Sequence, residues 1–187
     1  MRLFLAVNLP DDVRDGVASA TQRARATHPG VAWVQPSLLH LTVKFIGERN
    51  AELVPRVVDA ARAAAAAVAP FESALAGGGA FPNFRAPRVV WIGMANASPL
   101  VALAARLDAA LVPLGIPAER RPFRPHLTLG RVRRALSPDE GEGLAREMRA
   151  LAGRWPLPIT HVDLMRSELS SAGPRYTSVA TFALGRP

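Results

Sequence analysis

The chain of 187 residues contains no cysteine. That one absence excludes disulfides, thiolate metal sites and a cysteine nucleophile. Long apolar runs are also missing. Leu3 to Val7 is cut short by Asn8 and Pro10, which is too little for a secretory core, and the alanine-rich stretch around Ala63 is bounded by Arg62 and Pro70, well short of a membrane span. A soluble, cytoplasmic protein is the expectation. No Gly-x-Ser-x-Gly elbow is present for a serine hydrolase. Gly77-Gly78-Gly79 lacks the Lys-Ser or Lys-Thr of a nucleotide-binding loop, so it reads as a flexible turn.

Acidic residues are few beside bases, 15 against 23, leaving a net charge of +8. Such an excess favours an anionic partner such as nucleic acid. Only Lys44 is a lysine, however, and an arginine bias beside abundant alanine is equally what genome composition produces. Charge alone does not decide between the two. Apolar residues make up 49% of the chain, enough to bury a real core in one domain or two small lobes.

The order of elements follows from periodicity and punctuation. Arg2 to Asn8 reads as a strand, and Pro10-Asp11-Asp12 opens a helix that lasts to about Thr27 and ends at Pro29-Gly30. HLTVKFIG, from His40, is a strand. Asn50 is placed to cap a helix reaching about Ala69; Phe71–Ala76 and Arg88–Met94 read as strands joined by a loop of Gly77-Gly78-Gly79 and FPNFRAP. Ser98-Pro99 and Ser137-Pro138 each pair an N-cap with a proline at the first helical position, opening helices to about Val112 and Ala150. His126 to Arg131 is a strand between them, and strands near Leu157–Arg166 and Arg175–Leu184 follow.

Two halves of this order match. His126 lies 86 positions after His40, and the same offset lays the Asp11 helix on the Ser98 helix, the Asn50 helix on the Ser137 helix, and Phe71 on Leu157. The expected architecture is therefore α+β: a single bilobal domain over 1–187 in which elements of 98–187 repeat those of 11–94. Each lobe is an antiparallel sheet with outer helices, and a pseudo-two-fold places an active-site cleft between the lobes.

The repeated feature carries the chemistry. Strand alternation puts Leu41, Val43 and Phe45 on one face of HLTVKFIG and His40, Thr42 and Lys44 on the other. A second copy, His126-Leu127-Thr128, brings another imidazole and hydroxyl to the same cleft. One His-x-Thr strand alone would be an ordinary surface histidine; two copies in equivalent places are not. His28 and His161 lack this context and read as structural. His161-x-Asp163 offers a metal two ligands without a third.

A pair of imidazoles suits the opening of a five-membered cyclic phosphodiester, in which water attacks phosphorus in line with the departing ribose oxygen. The reaction needs a base on one side and an acid on the other, and histidine, with an ordinary pKa of about 6.5, serves as either. Thr42 and Thr128 are candidates to hold the non-bridging oxygens, and Lys44 and Arg124 to stabilise developing charge. No metal or other cofactor is required.

HLTVKFIG and FRPHLTLGR resemble the two HxTx motifs of the two-histidine phosphoesterase superfamily. With RLFLAVNLP, FPNFRAPRVVWIG and RSELSSAGPRYTSVATFAL, nearly the whole chain resembles its bacterial branch, the RNA 2′,3′-cyclic phosphodiesterases also called 2′-5′ RNA ligases. The resemblance implies hydrolysis of a 2′,3′-cyclic phosphate to a 2′-phosphate, with His40 as proton donor and His126 as proton acceptor; spacing alone leaves the two roles unassigned. Two departures stand out. Ala32 occupies a place where relatives often carry arginine. Arg131 falls opposite His126 under strict alternation, so a role at the phosphate requires a twist or bulge at Gly130. Trp33, Tyr176, Phe4 and, less favoured, Phe84 are candidates to stack on a base. The expected partner is an RNA end or nucleotide carrying a cyclic phosphate, with no membrane and a monomeric chain. Two other readings stay open: the reverse reaction, joining tRNA halves through a 2′-5′ bond, and a module that binds RNA ends without turnover.

Overall fold

The computed structural model describes residues 1–151, 153–171 and 173–185. Nine strands form two antiparallel sheets. β1 (Arg2–Asn8), β3 (His40–Glu48), β8 (His161–Ser170) and β9 (Gly173–Ala183) make a four-stranded sheet in the order β3-β1-β8-β9. β2 (Val31–Trp33), β4 (Phe71–Phe81), β5 (Val89–Ala95), β6 (Leu127–Val132) and β7 (Arg154–Ile159) make a five-stranded sheet in the order β2-β6-β5-β4-β7. Neither sheet is built from one half of the chain. Each takes strands from both, so the two lobes are interlocked along the sequence.

The helices cover one face of each sheet. α3 (Val54–Ala66) and α4 (Ser98–Leu111) pack on the four-stranded sheet, whereas α1 (Asp11–Ala20), α2 (Gln22–Thr27) and α5 (Pro138–Arg149) belong to the five-stranded one. Leu100, Leu103, Leu107 and Leu111 recur at helical spacing on α4 and are fully buried, each worth about 1.5–3 kcal/mol of transfer free energy. They join Leu3, Leu5 and Val7 of β1 in one continuous core. Among the described residues no helix is long and apolar enough to cross a membrane.

Several local expectations give way to tertiary packing. The segment 157–166 is not one strand, because the chain leaves the five-stranded sheet after Ile159 and enters the other sheet at His161. The glycines 77–79 are not a loose turn. They lie within β4, where α5 approaches Gly78 through the Met148 carbonyl and the Trp91 indole covers Gly79, leaving no room for a Cβ on either face. Ser137 caps α5 in a full capping box with Glu140. Ser98 instead lies inside its helix, and Asn50 makes no side-chain cap.

Candidate active site

Each histidine begins or immediately precedes a bulged strand. In β3, Ala6 pairs with Thr42 and Leu5 with Lys44, which leaves Val43 as an extra residue without a partner in β1. In β6, Trp91 pairs with Thr128 and Val90 with Gly130, which leaves Leu129 in the same position. Val43 and Leu129 are 86 positions apart. A bulge inserts one residue and so reverses the alternation beyond it. Phe45, not Lys44, therefore returns to the face of His40 and Thr42, and Arg131 returns to the face of Thr128.

This overturns the expected placement of Lys44. Its side chain lies on the core side with Leu5, only 3% exposed; Nζ donates to the Pro117 carbonyl at 2.7 Å and Glu119 Oε1 at 3.1 Å and forms an ion pair with Asp108 Oδ1 at 2.6 Å. A buried ammonium held by three oxygens on the core side is turned away from any phosphate on the face of His40. Phe45 takes the exposed place, at 57%. Arg131 gains what Lys44 loses: the bulge that its role required is present, and its exposed guanidinium has no salt-bridge partner among the described residues.

The two imidazoles are oriented alike. His40 Nδ1 lies 2.8 Å from the Leu38 carbonyl and His126 Nδ1 lies 2.6 Å from the Arg124 carbonyl. A carbonyl only accepts, so each Nδ1 carries a proton and each Nε2 is left free as the working end. His40 packs against Phe4 at 5.0 Å and edge-on to Tyr176 at 5.1 Å. His126 packs edge-on to Phe81 at 5.0 Å, with Trp91 at 6.5 Å. Burial pushes the His40 imidazole below its ordinary 6.5, with the Leu38 carbonyl opposing in part.

β3 of one sheet meets β6 of the other. The faces that carry the histidines are the ones without helices: Phe4, Ala6 and Met165 form a small cluster with Tyr176, separate from the main core. Phe4, at 3% exposure, is the floor beneath the His40 imidazole and is not open to a base. Trp33 lies elsewhere, with its indole against the core, Nε1 donating to the His28 carbonyl at 3.1 Å and the Arg25 guanidinium over its ring. Trp33 is turned to the core face by its pairing with Gly130, whereas Phe4 is on the site face but covered by the imidazole. Tyr176 is half-buried beside His40 and keeps its candidacy. Arg124 is exposed, and the contact it makes at the site is through its carbonyl.

A buried polar network on the face of His40 escaped the sequence reading. Asn8 stands directly opposite His40 in the β1–β3 register and donates to Asp163 Oδ2 at 2.7 Å. Asp163, 4% exposed, also accepts from Thr181 at 2.5 Å. The signal was the continuation of β1 beyond Phe4 and Ala6 to the next residue of that face, Asn8. His161 Nε2 is 3.7 Å from Asp163, and no group of three or more His, Asp or Glu is gathered for a metal among the described residues.

The 2′-5′ RNA ligase superfamily matches residues 10–170, a span that includes both His-x-Thr strands and all but the first and last strands of the two sheets. The chain belongs to that superfamily. It is 35% identical over 184 residues to an RNA 2′,3′-cyclic phosphodiesterase of Methanothermobacter thermautotrophicus, with 98% of this chain and 99% of that protein covered. Against the RNA 2′,3′-cyclic phosphodiesterase of Thermus thermophilus the identity is 39%, covering 98% and 90%. The fold is that of solved superfamily structures. The T. thermophilus protein TT0787 superposes with a TM-score of 0.81 at 34% identity, covering 98% of each chain. E. coli LigT in complex with 3′-AMP superposes with a TM-score of 0.77 at 28% identity, covering 98% of this chain and 97% of LigT.

Proposed function

We propose that this member of the superfamily hydrolyses RNA 2′,3′-cyclic phosphates to 2′-phosphates by acid–base catalysis between His40 and His126, acting as a cytoplasmic monomer without a metal. The observation that carries the reading is the doubled device: two His-x-Thr strands, each bulged at the next residue, each with its imidazole Nδ1 tied to a carbonyl, on strands that meet. On this reading the offset of 86 reflects an ancestral duplication over 1–187 whose copies exchanged strands.

The chemistry follows from the free Nε2 atoms. His126 accepts a proton from water as the oxygen attacks phosphorus, the bond from phosphorus to O3′ breaks, and His40 delivers a proton to O3′. Thr42 and Thr128 donate to the non-bridging oxygens, and Arg131 stabilises the charge that accumulates on them. His40 must be charged when the bond breaks, although burial favours its neutral form in the free protein. An anionic phosphate beside it reverses that preference, so binding of substrate arms the acid. The superfamily's ligase chemistry is the same ring-opening step with a 5′-hydroxyl attacking phosphorus in place of water, so that the bond to O3′ breaks and a 2′-5′ linkage with a free 3′-hydroxyl remains.

The test is product analysis. EDTA-treated protein given a 2′,3′-cyclic nucleotide should yield the 2′-phosphate, and His40→Ala or His126→Ala should lower turnover by about 10²–10⁴-fold. A 3′-phosphate product, loss of activity in EDTA, or binding without turnover would each refute the assignment.

A further inference from the structure

Beyond His126 the molecule has a groove of about 1240 Å³ between the β4–β5 loop and α5. Trp91, the ring beside His126, is part of its wall. Phe84, Arg85, Arg146 and Arg149 line it, with Glu142 as the opposing charge. The Arg149 guanidinium lies over the Phe84 ring, 5.4 Å from its centroid. Neighbouring cations outside the groove are neutralised, Arg134 by Glu140 and Arg23 by Glu147. Arg85, Arg146 and Arg149 have no salt-bridge partner among the described residues.

Resting on the cyclic-phosphodiesterase reading, we propose that this groove binds the RNA strand that precedes the cyclic end, making an oligonucleotide rather than a mononucleotide the preferred substrate. A cyclic phosphate closes the 3′ terminus, so every other nucleotide lies on one side of the reacting phosphorus. That strand needs a basic channel, and the groove supplies three guanidiniums without a salt-bridge partner among the described residues. Its volume exceeds the roughly 300–1,000 Å³ typical of a small-molecule pocket, which suits more than one nucleotide. The cations are all arginine, whose planar fork holds phosphate through two hydrogen bonds while its face stacks on bases.

The test compares two substrates in the native chain and in the double variant R146Q/R149Q, whose altered positions are exposed on α5. One substrate is a 2′,3′-cyclic mononucleotide and the other is an oligonucleotide of about ten residues with a cyclic end, within the span single-strand sites cover. The native chain should favour the oligonucleotide in kcat/KM, and the variant should lower that oligonucleotide-to-mononucleotide ratio about tenfold or more. Binding of a 3′-phosphorylated oligonucleotide should lose about 1.4 from its log–log salt slope, the share of two phosphate contacts to a single strand. No native preference, or an unchanged ratio and slope in the variant, overturns the groove. Failure of the cyclic-phosphodiesterase reading is seen separately, as no opening of either substrate by the native chain; the salt slope then still decides the groove.

Discussion

His40 and His126 sit beside the same bulge and on the same kind of carbonyl hook, yet their surroundings differ in kind. Around His40 the open face carries aromatic rings and no cation: Phe4 beneath, Tyr176 edge-on, and Phe45 at the position the bulge returns to the surface, with the Asn8–Asp163 pair alongside. Around His126 the corresponding position is Arg131, and Trp91 leads to a groove with three further arginines. One side lowers the proton affinity of its imidazole by desolvation; the other offers positive charge to an anion. The position just before each of these residues differs as well. Lys44 points into the core to hold Asp108 and Glu119, whereas Gly130 sits under β2, where a Cβ would come within 2.6 Å of the Val31 side chain. A doubled frame has thus been filled with unlike chemistry on its two sides, as a reaction needing an acid and a base would require.

The comparison is broken most severely at the histidines. His40→Ala and His126→Ala should each lower kcat on a cyclic nucleotide by about 10²–10⁴-fold, with the double variant little worse than either, because an acid and a base work as a unit. A single variant with full turnover would remove the pairing. Lys44→Met comes next, and it separates structure from chemistry: an ammonium removed from partly exposed carboxylates should cost about 1–3 kcal/mol of stability, less than a fully buried pair, read as a shift in denaturant midpoint. Arg131→Ala should do the reverse. Its loss should lower kcat about 10-fold to 100-fold while stability moves by less than about 0.5 kcal/mol. If Lys44→Met proved the more damaging to kcat, the reversed alternation beyond the bulges would be wrong.

The smallest effect is on pH. His40 is held below 6.5 in the free protein, so one limb of the kcat/KM profile, which reports that state, should fall below 6.5. In kcat, which reports the complex, the same limb should move upward because bound phosphate favours the imidazolium. The shift also carries a stability sign. A histidine with a depressed folded pKa binds fewer protons than its unfolded form, so its contribution is present above 6.5 and is lost as pH falls below it. Coincident limbs in kcat and kcat/KM would show that substrate charge does not reach His40.

The amino-acid sequence by itself determined that there are two His-x-Thr strands, that they stand in a repeated order of elements, and that no thiol chemistry is available. Those conclusions depend on residue identity and spacing, which survive any detail of packing. It also located most strands and helices, because apolar periodicity is a local property. The faces beyond each threonine were decided only in three dimensions. Strict alternation placed Lys44 beside His40 and turned Arg131 away from His126, and the unpaired residue just after each threonine, Val43 and Leu129, reversed both. Whether a strand takes in such a residue depends on the neighbour it pairs with, β1 or β5, and that neighbour is brought alongside by the fold of the whole chain. The same holds for the exchange of strands between sheets at Thr160 and for Gly78 and Gly79 of β4, whose missing side chains make sense only with α5 on one face and Trp91 on the other.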